Sequence, residues 1–228
     1  TRKGLKCGQV ADFTCFSFHA VKNLTTAEGG AVVWKNDLGL DSEKLYNQFM
    51  LYSLHGQSKD ALAKMQKGAW EYDIVFPGYK CNMTDVLAAI GLAQLNRYEK
   101  LLERRREVIG KYDHVVRRLG IETLEHFGEG FSSTGHLYLT RIPGINEVTR
   151  NEIISRLAEK GISCNVHYKP LPMLTAYKNM GFRIEGYPNA FDVYQNEITL
   201  PLHTLLDDED VAYIGRVLES ILAEMLGK

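Results

Sequence analysis

Two short apolar runs near the start of the chain predict a pair of strands. Residues 11–18 (A-D-F-T-C-F-S-F) are rich in aromatic side chains, and residues 30–34 (G-A-V-V-W) follow after the loop H-A-V-K-N-L-T-T-A-E-G. Aromatic and β-branched residues favour strands, whereas polar and small residues favour the connections between them. The pattern therefore predicts paired strands at the edge of a sheet, with Lys22 in their connection.

Helical spacing of apolar residues dominates the next part of the chain. Residues 41–54 show it first, and a second run begins after a capping residue at Thr84 or Asp85. That second run is apolar on nearly all sides, then continues as an amphipathic stripe to Gly120. The pattern predicts one long helix that leaves the core of one domain and enters another, with the boundary near residue 100.

The remainder of the chain has the alternation of a small α/β domain. Thr149 and Glu152 are expected to form a capping box, and the acidic start of the last helix suits the positive end of its dipole. We expect two domains, at residues 1–100 and 101–228, and an ordered surface loop near a site at residues 57–82. The strands predicted for the second domain are 136–142, 161–168 and 197–202, and the helices are 149–161, 172–180, 188–195 and 207–225.

Composition and charge narrow the class of protein. The formal net charge of −1 gives no electrostatic reason to expect nucleic acid or an anionic membrane surface as a partner. No apolar run approaches the ~20 residues that a membrane span requires. The four cysteines match no zinc template, so we expect no metal site and read them as reduced thiols of a cytoplasmic protein.

The segment that carries chemistry is F-S-F-H-A-V-K-N-L-T-T-A-E-G-G, residues 16–30. A lysine becomes a nucleophile only when burial or a nearby positive charge lowers the pKa of its ammonium group. A constrained turn beside a strand end could provide such a setting for Lys22. The alternative is an exposed lysine in a hairpin loop, which composition alone favours because lysines are mostly exposed.

The spacing S-F-H-x-x-K-N-x-T-T-x-E-G-G resembles the Schiff-base segment of the DegT/StrS nucleotide-sugar aminotransferases, which are fold-type-I enzymes. Residues 77–95, 161–171 and 198–203 resemble later blocks of that family in the same order. The resemblance covers essentially the whole chain. It implies an α/β fold class, with the C-terminal part of a PLP-dependent transferase-like (fold type I) large domain followed by a small C-terminal α/β domain.

The resemblance implies roles for five residues. Lys22 would form the Schiff base with pyridoxal 5'-phosphate and, once the amino donor displaces it, would move the proton between substrate and cofactor. Ser17 would contact the cofactor phosphate, and Asn82 would reach the phosphate in the neighbouring subunit of a homodimer with a shared active site. His167 would lie near the substrate, and His19, a motif residue, is grouped with it as substrate-binding.

Each of these residues also has a structural alternative. Ser17 could face its strand neighbours, Asn82 could serve the turn after Pro77-Gly78, and His167 could be a core histidine with its hydrogen bonds satisfied. We expect Gly29-Gly30 to serve the turn, where a positive φ is needed, rather than to touch a ligand.

The activity that the resemblance implies is transamination of a keto sugar, expected in nucleotide-linked form, with an amino acid donor such as glutamate. Lysine at position 22 favours amino transfer, since some relatives with histidine there act as sugar dehydratases. The chain begins at Thr1 close to a strand and reads as a fragment, without the family's phosphate loop, stacking aromatic ring or pyridine-pairing aspartate. We therefore expect it to be weakly active or inactive alone, and the alternative function is a non-catalytic dimerisation or binding fragment of such an enzyme.

Overall fold

The computed structural model describes residues 1–58 and 72–227. Its described part divides into two compact units, the first formed by Thr1 and Lys3–Arg97 and the second by Arg2 and Tyr98–Lys228. Of the surface loop predicted at residues 57–82, residues 59–71 lie outside the described part of the chain.

The first unit is built on an antiparallel pair of strands. Strand β1 (Phe13–Ser17) pairs with β2 (Gly30–Trp34), and the register places Phe13 opposite Trp34 and Ser17 opposite Gly30. The prediction of paired strands is thus confirmed. The connection that contains Lys22 leaves β1 at Ser17 and returns at Gly30, so both of its ends are fixed by the same rung of the ladder.

Helix α1 (Ser42–Ser53) supports the opposite end of this hairpin. Its start is capped by Asp41, whose side chain accepts hydrogen bonds from the Glu43 and Lys44 amides. The Phe49 ring stacks on Trp34 at 5.5 Å between ring centres and meets Phe13 edge-on at 6.4 Å. These aromatic contacts anchor the hairpin at the end remote from the Lys22 connection.

The single long helix predicted from Thr84 to Gly120 is wrong, because the structure has two helices there. Helix α2 (Asp85–Leu95) ends before a turn at residues 96–97, and helix α3 (Tyr98–Arg118) begins after it. At the break, the Arg97 amide bonds to the Gln94 carbonyl at 3.0 Å, three residues back, so the regular four-residue ladder is interrupted. The apolar stripe continues through the turn, which is why the sequence pattern did not reveal the break.

The second unit contains a three-stranded antiparallel sheet in the order β3–β6–β7, where β3 is Glu122–Thr123, β6 is Tyr138–Arg141 and β7 is Glu197–Leu200. A separate hairpin joins β4 (Phe127–Gly128) to β5 (Phe131–Ser132). The strands predicted around 136–142 and 197–202 are confirmed. Strands β3, β4 and β5 were not predicted, because two residues are too few to show a periodic pattern.

The strand predicted at residues 161–168 is wrong. Only Asn165 pairs there, in an isolated bridge with Thr199 of β7, through two backbone hydrogen bonds of 3.2 and 2.8 Å. Two residues further on, the backbone amide of His167 donates to the Glu197 side chain rather than to a neighbouring strand. A side-chain acceptor has replaced the backbone acceptor, so the ladder stops after one bridge.

Three longer helices enclose this sheet. Helix α3 contacts β3 and helix α7 (Asp208–Leu226), and helix α4 (Glu147–Glu159) contacts α7 and β7. Helices α5 (Thr175–Asn179) and α6 (Pro188–Asn196) are short, and the predicted helix at 172–180 is a 3-10 turn at Leu171–Met173 followed by α5. The fully buried side chains at the centre of this core include Val108, Ile109, Tyr112, Ile153, Leu157 and Leu222.

The capping box predicted for Thr149 and Glu152 is wrong. Helix α4 starts two residues earlier, and the side chain of Asn146 accepts the Thr149 amide at 3.0 Å. Thr149 therefore occupies the third helical position, and Glu152 bonds to Arg156 one turn later at 2.9 Å. Asparagine and threonine are both good capping residues, so the sequence alone did not separate the two starts.

No helix in residues 1–58 and 72–227 has the length and apolar character needed to cross a membrane. Within the same residues, no three histidine, cysteine or acidic side chains form a group that could hold a metal ion. All four cysteines are free, and burial raises the pKa of the Cys164 thiol to about 12. The cytoplasmic location stays a prediction.

Candidate functional site

The connection that contains Lys22 is a closed turn rather than an open loop. The Phe18 carbonyl accepts both the Thr26 amide at 2.9 Å and the Thr25 hydroxyl at 3.1 Å, and the Phe18 amide donates to the Gly29 carbonyl at 2.8 Å. Within this closure, the Lys22 amide donates to the His19 carbonyl at 2.9 Å. Lys22 is half-buried. The structure thus gives Lys22 the constrained setting beside a strand end that the sequence suggested.

The two threonines of the motif hold this turn in shape. Thr26 is buried, and its hydroxyl donates to the Glu28 carbonyl at 2.7 Å. The Thr25 hydroxyl also accepts the amide of Ala27, which has a left-handed backbone with φ of 65°. Because both hydroxyls replace backbone partners that the turn would otherwise lack, the T-T pair has a structural role here.

Close packing requires glycine at both positions of the G-G pair. Gly29 has φ of +153°, and a Cβ atom there would overlap the Thr26 hydroxyl and lie 2.7 Å from Met83 Cε. A Cβ atom on Gly30 would lie 2.7 Å from the Phe16 carbonyl oxygen. Of the two, only Gly29 has the positive φ that we expected, and Gly30 serves the close approach of β1 and β2.

Ser17 and His19 flank the turn on its exposed side. The Ser17 hydroxyl oxygen accepts the His19 amide at 3.3 Å, which leaves the hydroxyl proton available as a donor. The His19 imidazole lies 3.6 Å from the Glu28 carboxylate, and both side chains are largely exposed. The structure therefore brings Ser17, His19 and Lys22 together on one turn. Their roles toward cofactor and substrate stay predictions.

Asn82 lies on the segment that leads into helix α2. Its side-chain oxygen accepts a hydrogen bond from the Lys80 ammonium group, and Asn82 is exposed. The next residue, Met83, packs against Gly29, so this segment touches the Lys22 turn within the same chain. Lys80 was not singled out by the sequence analysis. An asparagine two residues from a lysine places an amide donor near a positive charge, and this combination is typical of an anion-binding site.

His167 belongs to the second unit and is fixed there by two side chains. Its backbone amide donates to Glu197 Oε2 at 2.8 Å, and its Nδ1 lies 2.8 Å from the Thr199 hydroxyl oxygen. His167 is half-buried, and that burial lowers the pKa of its imidazole. The Tyr168 ring meets it edge-on at 4.6 Å between ring centres. His167 is thus not a core histidine, and its role in substrate binding stays a prediction.

Sequence reasoning assigned Glu197 and Thr199 only to a strand. Glu197 is 1% exposed and Thr199 is 5% exposed, and the Thr199 hydroxyl donates to Glu197 Oε1 at 2.5 Å. The spacing E-x-T on a strand was the available signal, because residues i and i+2 point to the same face. A carboxylate buried on that face needs polar partners, and one of them is the His167 amide, 30 residues away in sequence.

Comparison with known proteins identifies relatives of known type. Residues 1–219 match the DegT/DnrJ/EryC1/StrS aminotransferase family. The spore coat polysaccharide biosynthesis protein SpsC of Bacillus subtilis is 36% identical over 216 residues, which are 92% of this chain and 54% of SpsC. A UDP-4-amino-4,6-dideoxy-N-acetyl-beta-L-altrosamine transaminase of Campylobacter jejuni is 31% identical over 223 residues, 98% of this chain and 56% of that enzyme.

Solved structures give the same result. The PMP-form structure of Spr1654 from Streptococcus pneumoniae, described as a sugar aminotransferase, superposes with a TM-score of 0.94 at 54% identity and covers 99% of this chain. PseC from Helicobacter pylori, an aminotransferase, superposes with a TM-score of 0.81 at 27% identity over 97% of this chain. The chain spans 57% of the Spr1654 chain and 56% of the PseC chain. The α/β fold of fold type I predicted from the resemblance is confirmed.

Proposed function

Because the chain belongs to the DegT/DnrJ/EryC1/StrS aminotransferase family, we propose that its protein transfers an amino group from an amino acid to a keto sugar, with Lys22 as the lysine attached to pyridoxal phosphate. The family is pyridoxal-phosphate dependent, and Spr1654 is solved in both its PLP and PMP forms. The UDP-sugar transaminase among the relatives supports a nucleotide-linked substrate, and glutamate is the proposed donor. The observation that carries the proposal is the closed, half-buried turn around Lys22.

The residues of this turn fit a phosphorylated aldehyde cofactor by their chemistry. Lys22 supplies the only primary amine in residues 16–30, and Ser17 supplies an exposed hydroxyl with its proton free to donate. The Asn82 amide and the Lys80 ammonium, on the segment before helix α2, would add a neutral donor and a positive charge for the cofactor phosphate of the partner subunit. Hydroxyl, amide and ammonium donors are the groups that bind phosphate oxygens.

When bound, pyridoxal phosphate supplies an electron sink for the exchange of the amino group. Lys22 would hold it covalently through Nζ, and Ser17 would donate to its phosphate. Once the incoming amine takes the place of Lys22, the free Nζ would carry the proton to and from the substrate carbon. The hydrogen bond from the Lys22 backbone amide to the His19 carbonyl keeps the lysine backbone in place during these steps, which favours a short transfer distance.

We further propose that Asn82 acts across a homodimer with a shared site. Its exposed amide supports this role, since it leaves the protein surface free to meet a partner. Mixing Lys22→Ala subunits with Asn82→Ala subunits tests the idea, because a mixed dimer would regain one site with both residues. Random pairing predicts roughly a quarter of the wild-type activity. No recovery on mixing two inactive variants would mean that Asn82 acts within its own subunit, and full activity of Asn82→Ala alone would mean that it has no role.

The proposed function is tested by turnover of nucleotide-linked keto sugars with glutamate, using the protein expressed from its complete gene. Lys22→Ala is expected to abolish product, whereas Lys35→Ala, which loses only an exposed pair with Asp12, should keep wild-type activity. Full activity in Lys22→Ala would contradict the proposal. A wild-type protein that forms dimers but neither binds cofactor nor turns over would instead support a binding fragment.

A further inference from the structure

A buried hydrogen-bond chain runs from Glu197 through Thr199 to the His167 imidazole. The Thr199 hydroxyl oxygen lies 2.5 Å from Glu197 Oε1 and 2.8 Å from His167 Nδ1. The second carboxylate oxygen, Oε2, accepts the backbone amide of His167 at 2.8 Å. The same glutamate therefore fixes both the backbone of His167 and, through one hydroxyl, the orientation of its ring.

The hydrogen-bond chain has a direction because its two ends are not interchangeable. A backbone amide only donates, and an ionised carboxylate only accepts. Glu197 thus accepts the hydrogen bond of the Thr199 hydroxyl, and the Thr199 oxygen can then only accept from the ring. His167 must therefore carry its proton on Nδ1, which leaves Nε2 with a free lone pair.

The surroundings of Glu197 maintain this direction. Burial raises the pKa of the carboxyl group, and the opposing influences are the Thr199 hydroxyl, the His167 amide and the positive charge of Arg150. Arg150 also donates to the Glu197 carbonyl at 3.4 Å, which holds the backbone of that residue. The two donors and the cation limit this rise, and the amide and hydroxyl hydrogen bonds are those that an ionised carboxylate accepts.

The backbone fixes the positions of Thr199 and His167 at the other end of the hydrogen-bond chain. Thr199 pairs with Leu139 in the sheet and exchanges two backbone hydrogen bonds with Asn165. Asn165 lies two residues before His167, so both partners of the Nδ1 contact are attached to the same bridge. A rigid pair of this kind holds one ring orientation at little entropic cost.

We propose that Glu197 and Thr199 are positioning residues that hold His167 in the Nδ1–H tautomer, so that Nε2 accepts a hydrogen bond from a hydroxyl group of the sugar substrate. The substrate half of this inference rests on the proposed function. A sugar offers several hydroxyl donors and few other polar hydrogens, so an unprotonated ring nitrogen is a matching acceptor. His167 is half-buried, so the residue is not enclosed in the core of the second unit.

Nitrogen-15 NMR of the histidine rings tests the positioning without any turnover. In the wild-type protein at neutral pH, the His167 signals, assigned by comparison with His167→Gln, should show a proton on Nδ1. The Thr199→Val variant should lose this preference, and Thr199→Ser, which keeps a hydroxyl, should retain it. A wild-type ring with its proton on Nε2 would overturn the inference.

The Glu197→Gln variant gives the sharpest outcome, because it should reverse the direction of the hydrogen-bond chain. The glutamine carbonyl must face the His167 amide, so its NH₂ group donates to Thr199, whose proton then turns toward Nδ1. The proton of His167 is therefore expected to move to Nε2. Thr140→Val is the matched control, since Thr140 is a 1% exposed threonine of the same sheet whose hydroxyl donates to the Ile198 carbonyl at 2.6 Å. An unchanged tautomer in Glu197→Gln, or an equal change in Thr140→Val, would contradict the proposal.

Kinetics test the substrate half in the active protein. Glu197→Gln and Thr199→Val should raise KM for the keto sugar about tenfold, the value of one hydrogen bond, and leave KM for the amino donor unchanged. Thr199→Ser should restore KM. Equal changes for both substrates would overturn the substrate role. Failure of the proposed function would look different, because the wild type itself would not turn over while the tautomer pattern stayed as predicted.

Discussion

Replacing Arg150 is expected to destabilise the second unit strongly, because this guanidinium is buried and holds two carbonyl groups. Arg150 is 1% exposed and donates to the carbonyl oxygens of Tyr194 at 3.1 Å and Glu197 at 3.4 Å. It also lies 3.7 Å from the Glu147 carboxylate and 4.7 Å from the centre of the Tyr194 ring. Arg150→Met keeps most of the buried stem and removes only the charged head.

The size of the loss follows from these contacts. A hydrogen bond from a charged donor contributes about 1.5–3 kcal/mol, and the 3.4 Å bond belongs at the lower end of that range. The Glu147 carboxylate keeps a hydrogen-bond partner in this variant, since it is partly exposed and still accepts the Tyr194 hydroxyl at 2.7 Å. The two carbonyls are left without this donor. We therefore expect a loss of about 3–4 kcal/mol, the combined value of the two hydrogen bonds from the charged donor.

Urea unfolding followed by circular dichroism measures this loss. Arg150→Lys should recover only part of it, because an ammonium lacks the planar fork that reaches both carbonyls. Arg156→Met is the control on the same helix, since Arg156 pairs with Glu152 and Glu224 at the surface and its loss should be small. A destabilisation of Arg150→Met below about 1 kcal/mol would refute the reasoning.

Three further changes test other parts of the structure. Asp207→Ala removes the side chain that caps helix α7 through its 2.8 Å bond and should cost about 1 kcal/mol in urea unfolding. Gly30→Ala places a Cβ atom 2.7 Å from a carbonyl of the facing strand and should make the hairpin sensitive to protease, whereas Gly186→Ala, with no atom nearby, should not. Burial lowers the pKa of His126, so its stabilising contribution is present above about pH 6.5 and is lost as the pH falls through the lowered value. The stability of His126→Gln should therefore depend less on pH than the wild type below pH ~6.5, and the exposed His114→Gln should behave as wild type.

Hydrophobic patterns in the sequence predicted the elements that are determined by residues close together in the chain. The hairpin of β1 and β2 was predicted because its apolar runs are short, aromatic and separated by a polar loop. The break at residues 96–97 was not, because the apolar stripe passes through it without a change in spacing. The prediction of a strand at residues 161–168 was wrong for a different reason. Its sequence is apolar enough for a strand, but a buried glutamate from another strand takes the amide of His167.

The residues of the candidate site also divide into those grouped by a local motif and those brought together only by the fold. Ser17, His19 and Lys22 lie within six residues of one another, so one motif was enough to group them on a turn. Glu197 and Thr199 are 30 and 32 residues from His167, and only the folded sheet places them beside it. Long-range polar contacts of this kind follow from the packing of the second unit, which no local pattern describes.

The central claim is that Lys22 is the residue to which the cofactor is attached. The most direct measurement is treatment of the complete gene product with pyridoxal phosphate and borohydride, followed by peptide mass spectrometry. We predict a pyridoxyl group on Lys22, no such group in the same peptide of Lys22→Ala, and unchanged labelling in Lys35→Ala. Stoichiometric labelling at another lysine, with Lys22 unmodified, would contradict it.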